Sequence, residues 1–227
     1  MKKFLLHFLF AIIVVGNLAG NFIPFAHSEL IFKPLIMIWM AGYFFLQAKG
    51  MDKMVTQLAS FAFFASWTGD ILLMFTSRNN LFFILGIAGF LAAQVFYAFL
   101  FLRTIEISGK KSFLKKQPIW MILYIAYGLI GYMVLFPHLD AILKVAVLVY
   151  LVAILIMGTM ALNRYGNGHP ISFSLVFTGS LLFILSDTLI AVNRFLLAVP
   201  FDRMLIMSTY IAAQYLIMTG ILKQYEQ

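Results

Sequence analysis

The chain reads as an all-α polytopic membrane protein, a single domain over residues 1–227 with eight transmembrane helices and both termini cytoplasmic. Three observations predict this. Apolar residues make up 63% of the sequence and charged residues only 11%, and the mean hydropathy is +1.00. A soluble domain holds roughly 45 to 50% apolar residues. Apolar runs of roughly 17 to 24 residues recur, each long enough to cross hydrocarbon at about 1.5 Å per residue, with short polar breaks between them. The runs show no period-two alternation, so helices are chosen over a closed barrel, the other architecture that satisfies backbone polar groups in lipid.

The spans follow in order. The first, Phe4–Gly20, comes after Lys2 and Lys3 and has the look of a signal peptide. It lacks a small-x-small cleavage site and is kept as a spanning helix. The second, Phe32–Ala48, begins beside Lys33, and the third, Val55–Thr76, carries Ser66, Trp67 and Asp70 inside an apolar run. The fourth, Leu81–Leu102, holds Gln94 and leads into the Gly109–Gln117 linker, which carries four lysines and is the longest loop on the cytoplasmic side. The fifth and sixth, Ile119–Phe136 and Ala141–Asn163, are the plainest hydrophobic runs. The seventh, Ile171–Asn193, contains Asp187, and the eighth, Met204–Leu222, contains Tyr210 and Gln214.

The net charge of +8 records orientation, not a nucleic-acid partner. Lys2, Lys3, Lys49, Lys53, Arg103, Lys110, Lys111, Lys115, Lys116, Arg164 and Lys223 fall on one side, and only Lys33, Arg78, Lys144, Arg194 and Arg203 on the other. The richer side is cytoplasmic by the positive-inside rule. The linker divides the chain into halves of four spans. Leu91-Ala92-Ala93-Gln94 and Ile211-Ala212-Ala213-Gln214 fall at matching places, and spans three and seven carry one aspartate each. This spacing suggests a parallel four-plus-four repeat, beside the alternative of chance likeness among apolar helices built from few residue types.

A carboxylate at membrane depth costs roughly 2.5 to 3.5 kcal/mol even on the lenient insertion scale, so an intramembrane aspartate is read first as a functional group facing a polar interior. In this topology Asp70 and Asp187 both lie in the outer half of outward-running spans. Near that level fall Asn17 and Asn21, one turn apart, then Lys33, Arg78 and Arg194 at outer helix ends, Trp67, and Tyr210 with Gln214 one turn deeper. Ser180, Asp187 and Arg194 recur at seven-residue spacing and share a face, as do Ser66, Trp67 and Asp70. The alternatives are ordinary ones. Asn17, Gln94 and Gln214 suit interhelical hydrogen bonds. Lys33, Arg78 and Arg194 suit snorkelling anchors, Trp67 and Tyr210 an aromatic belt, and the two aspartates a structural pairing with the cations.

The absence of cysteine excludes thiol nucleophiles and thiolate metal sites. His7, His27, His138 and His169 share no metal-ligand spacing on a helix, so no metal site is expected. No nucleophile elbow, phosphate-cradling loop or dinucleotide fingerprint is present, and no cofactor is expected.

Several segments carry a resemblance in order: Lys33-Pro34-Leu35, then Ser66-Trp67-Thr68-Gly69-Asp70-Ile71-Leu72-Leu73, then Gly179 to Asp187 with Ala191 and Asn193-Arg194-Phe195, then Tyr210 with Gln214-Tyr215-Leu216. In this set the chain resembles the YhhN family of eight-helix membrane proteins, whose characterised vertebrate members are lysoplasmalogenases. It departs from them at Gln94, where the family commonly has a histidine. The resemblance implies hydrolysis of the vinyl ether of a 1-alkenyl lysophospholipid to a fatty aldehyde and a glycerophospho headgroup. Asp70 and Asp187 are expected to be the catalytic pair. Asn17, Asn21, Lys33, Trp67, Arg78, Arg194, Tyr210 and Gln214 are expected around the substrate. The expected partners are lysophospholipid and membrane lipid, with no nucleic acid, in the plasma or inner membrane. The alternative function is a proton-coupled transporter using the same carboxylates as a relay.

Overall fold

The computed structural model describes residues 2–20, 28–109 and 112–226. Among these the chain is helical: α1 (Lys2–Ala19), α2 (Ser28–Gln47), α3 (Lys53–Leu73), α4 (Asn80–Ser108), the one-turn α5 (Phe113–Lys116), α6 (Trp120–Leu135), α7 (Ala141–Asn163), α8 (Pro170–Phe195) and α9 (Asp202–Lys223). The eight long helices fall where the eight apolar runs predict them. Six of them, α2, α4 and α6 to α9, are long and apolar enough to cross a membrane, while α1 is apolar but shorter. α3, which carries Asp70, is not among these six. The first unit comprises Met1–Ala93 and the second Gln94–Gln227, so the division falls within α4.

Helix ends follow local chemistry. The Asp52 carboxylate accepts from Val55 N at 3.0 Å at the start of α3, and Asp140 accepts from Leu143 N at 2.8 Å at the start of α7. Each satisfies a backbone donor that has no intrahelical partner. At α8, Pro170 occupies the first turn, where its missing N–H costs nothing.

Burial is inverted relative to a water-soluble protein. Large apolar side chains such as Phe4, Ile130, Met133 and Ile142 are exposed, while Ser66, Asp70, Gln94, Ser180 and Gln214 are buried. Lipid-facing apolar surface with polar groups turned inward is what a bundle in hydrocarbon requires.

In the first unit, α1 and α2 meet through Trp39, whose ring stacks on Phe10 at 4.2 Å and whose Nε1 donates to Leu6 O at 3.0 Å. α3 and the first half of α4 approach through glycines. A Cβ at Gly89 would lie 2.9 Å from Gly69 N, so side chains are excluded at this crossing. The second unit repeats the device between α8 and α9, where a Cβ at Gly179 would lie 2.9 Å from Ala213 O.

Arg164 departs from its sequence reading as a loop cation. It is 1% exposed, just past the end of α7. Its Nε donates to Thr104 Oγ1 at 3.0 Å, and its Nη2 donates to Ser172 Oγ at 2.8 Å and Gln224 Oε1 at 3.3 Å. Thr104 lies near the end of α4, Ser172 in the first turn of α8 and Gln224 just past the end of α9, so the guanidinium, itself just past α7, joins four helix ends, three of them C-termini whose negative dipole favours a cation. Burial pulls its pKa down to about 10, which leaves it charged at neutral pH. Nearby, Asn163 Oδ1 accepts from Ser112 Oγ at 2.5 Å and Leu114 N at 2.9 Å, tying the end of the lysine-rich linker to α7.

Candidate functional site

Each unit holds one of the two sequence-predicted aspartates in the interior of a long helix, Asp70 on α3 and Asp187 on α8. In the first unit Asp70 sits on α3 beside the glycine crossing and is 2% exposed. Lys33 Nζ lies 3.8 Å from Asp70 Oδ1 and 4.0 Å from Glu29 Oε1, one turn back on α2. Lys33 is itself 8% exposed. It therefore faces the carboxylate instead of reaching for the rim, because a lysine held out of water gains most from a charged partner.

The other first-unit candidates are spread along the helices. Asn17 is buried and its Oδ1 has no hydrogen-bond partner, as is true of Trp67 Nε1. The Trp67 ring lies 6.0 Å from that of Phe64. Arg78 is exposed past the end of α3 with its guanidinium 5.0 Å over the Phe75 ring. Asn21 lies outside the described residues.

In the second unit Asp187 is half-buried on α8. The Tyr150 hydroxyl of α7 donates to Asp187 Oδ2 at 2.5 Å, and Gln94 Nε2 of α4 donates to the same oxygen at 3.5 Å. Two donors on one carboxylate oxygen fix its orientation. Gln94 is fully buried and its Oε1 has no partner. Where the resemblance leads one to expect a histidine, an amide therefore directs its donor end at the aspartate.

Asp187 also borders a cleft of about 200 Å³, walled by Tyr150, Ile154, Ile184, Thr188 and Val192 among other mainly apolar residues. An oriented carboxylate at the edge of an apolar cavity can exchange a proton with a bound molecule and can stabilise a cation forming beside it. Deeper on α9, the Tyr97 hydroxyl donates to Gln214 Oε1, and Gln214 Nε2 donates to the Tyr210 hydroxyl at 3.4 Å. The Phe183 ring, one turn before Asp187, meets Tyr210 edge-on at 5.6 Å.

The shared face of Ser180, Asp187 and Arg194 runs from fully buried through half-buried to exposed. Beyond it, Asn193 accepts from Val199 N at 2.9 Å and donates to Asp202 Oδ2 at 2.8 Å, which ties the α8–α9 loop down. Sequence reasoning missed Tyr150 and Tyr97. The available signal was a tyrosine placed mid-run, too deep for an aromatic belt, whose hydroxyl needs a partner there.

This fold and these carboxylates define a multi-pass membrane protein with acidic residues set into its helices. The chain belongs to the YhhN family, whose model matches residues 28–221. That stretch takes in Lys33, Asp70, Gln94, Tyr150 and Asp187 and leaves Asn17 and Asn21 outside. The chain is 32% identical over 191 residues to lysoplasmalogenase TMEM86A of Bos taurus, covering 81% of this chain and 73% of that protein. It is 29% identical over 191 residues to lysoplasmalogenase TMEM86A of Homo sapiens, with the same coverage. It is 33% identical over 156 residues to lysoplasmalogenase TMEM86B of Sus scrofa, covering 69% of this chain and 59% of that one. No solved structure matches the chain.

Proposed function

We propose that this protein is a membrane-embedded hydrolase of the vinyl ether bond in lysoplasmalogen-type lysophospholipids, acting in the plasma or inner membrane. The observation that carries the site is Asp187, oriented by Tyr150 and Gln94 at the wall of an apolar cleft. The named activity of the relatives supports the substrate class.

The chemistry suits such a site. A proton adds to the vinyl carbon one removed from oxygen and leaves an oxocarbenium ion at the carbon bound to oxygen. Water adds there and gives up a proton. The resulting hemiacetal then breaks its bond to the glycerol oxygen, which takes up a proton, and the products are a fatty aldehyde and the glycerophospho alcohol. One water is consumed and the catalytic proton is returned. The steps need a proton donor and an anion facing the cation, roles that two carboxylates divide in glycoside hydrolysis.

We assign these roles to Asp70 and Asp187 jointly. Lys33 is assigned to Asp70, whose charge it balances, and the exposed Arg78 and Arg194 to the headgroup phosphate. Asn17, Asn21 and Trp67 remain proposed polar contacts for substrate. Tyr210 and Gln214, hydrogen-bonded to each other, are proposed to support it.

The test is mass spectrometry of a lysolipid panel incubated with purified protein in detergent, where there is no second compartment for transport. Fatty aldehyde released from 1-alkenyl lysophospholipid, with none from the 1-alkyl analogue, is the expected result. An untouched alkenyl lipid would overturn the substrate assignment.

A further inference from the structure

A second, larger apolar groove lies in the same unit as the Asp187 cleft. It measures about 680 Å³ and is lined by α6 and α8 together with Phe113, Gln117, Leu162 and Tyr165. Tyr127 and Ile184 line both spaces. On α8 the wall residues Phe173, Phe177, Leu181 and Ile184 continue into Thr188 and Ala191 of the cleft, and on α6 Trp120, Tyr124 and Tyr127 continue into Gly131 and Val134. Both series step by three and four residues, so each is one unbroken helix face. At the junction the Tyr127 hydroxyl and Thr188 Oγ1 hydrogen-bond across the two helices.

We infer that this groove receives the hydrocarbon chain of the lysolipid and thereby selects for chain length. The inference rests on Asp187 being the reacting end, as proposed above. Three features commit it to one apolar chain. The groove adjoins the cleft that holds the carboxylate, with Tyr127 and Ile184 in the wall of both. Apart from Gln117 its lining is aromatic and aliphatic, with Tyr165 edge-on to Phe113 at 5.0 Å and to Phe173 at 5.2 Å, and Phe173 stacked on Phe177 at 5.5 Å. Its length also fits. From Asp187 to Phe173 the helix rises about 21 Å at 1.5 Å per residue, enough for a chain that fills one leaflet, about half of a ~30 Å hydrocarbon core. With the ether at Asp187, the chain runs away from Arg194 and the headgroup stays on the Arg194 side.

Leu181→Trp and Leu123→Trp test this. Both leucines line the groove and are exposed, at 43% and 61%, so a larger ring fills space without entering the core. Each methylene displaced from apolar contact costs about 0.8 kcal/mol, so displacing two or more should lower kcat/KM on a long-chain alkenyl lysophospholipid roughly tenfold or more. A short-chain homologue should be turned over as by wild type. An unchanged ratio of long-chain to short-chain turnover in both variants would overturn the groove. Loss of turnover on every chain in wild type would instead overturn the reading of the reaction.

Independently of turnover, a long-chain lysophospholipid with a diazirine at its chain end should form adducts at Phe113, Trp120 or Phe173. Leu181→Trp should suppress them. Adducts confined to other helices, or unaffected by Leu181→Trp, would overturn the groove even if no turnover is seen.

Discussion

At the scale of single residues, the proposed role of Asp187 separates a reacting group from the groups that hold it. Tyr150 donates to Oδ2 at 2.5 Å and Gln94 at 3.5 Å, so the tyrosine is the stronger orienting contact. A hydrogen bond to a charged partner is worth about 1.5 to 3 kcal/mol. Tyr150→Phe should therefore lower kcat roughly 10- to 150-fold, with KM little changed and the pH profile of kcat displaced. Steady-state kinetics across pH checks this. A kcat within twofold of wild type and an unmoved profile would reduce Tyr150 to packing. Asp187 was legible in the sequence because a charge in an apolar run is costly. Tyr150 was not, because a tyrosine among valines and leucines carries no such penalty and its partner lies on a different helix. Lys33 was legible as a rim cation, but its burial against Asp70 depends on how α2 meets α3, which spacing along one helix does not encode.

At the scale of elements, the helices that carry the aspartates pack through positions where a side chain will not fit. A Cβ at Gly179 would meet the Ala213 carbonyl at 2.9 Å and Ile217 N at 3.0 Å, and backbone atoms cannot move aside as a side-chain tip can. Overpacking of this kind costs roughly 1 to 3 kcal/mol. Gly179→Val should lower the melting temperature of the purified protein in detergent. Gly42→Ala on α2, where nothing lies within 4 Å, should leave it unchanged or raise it slightly by favouring helix. Equal melting temperatures for the two variants would contradict the tight α8–α9 crossing. The apolar runs located every long helix, though only six of the eight are long and apolar enough to cross a membrane. They misjudged the ends, because polar residues prolong helices beyond the apolar core: α4 continues to Ser108 and α8 to Phe195. They also missed α5 and the burial of Arg164, both products of side-chain hydrogen bonds among segments distant in sequence.

At the scale of the whole molecule, Asp70 and Asp187 lie in the interior of helices of a membrane protein whose family relatives are named lysoplasmalogenases, and lipid chemistry is the reading that joins these facts. The sequence made the class of fold and the two carboxylates legible. The groove and the hydrogen-bond partners of Asp187 emerged only once helices far apart in the chain were packed. The most direct test compares wild type, Asp70→Asn and Asp187→Asn, each purified in detergent, for aldehyde release from a 1-alkenyl lysophospholipid, with melting temperature recorded for each. The isosteric amide keeps volume and removes proton chemistry, and general acid–base catalysis contributes about 10²- to 10⁴-fold. Wild type should release aldehyde, and each variant should remain folded while losing at least about a hundredfold in turnover. Turnover near the wild-type rate in either folded variant would contradict the catalytic role of that aspartate, and a large loss of stability in both would assign the pair to structure instead.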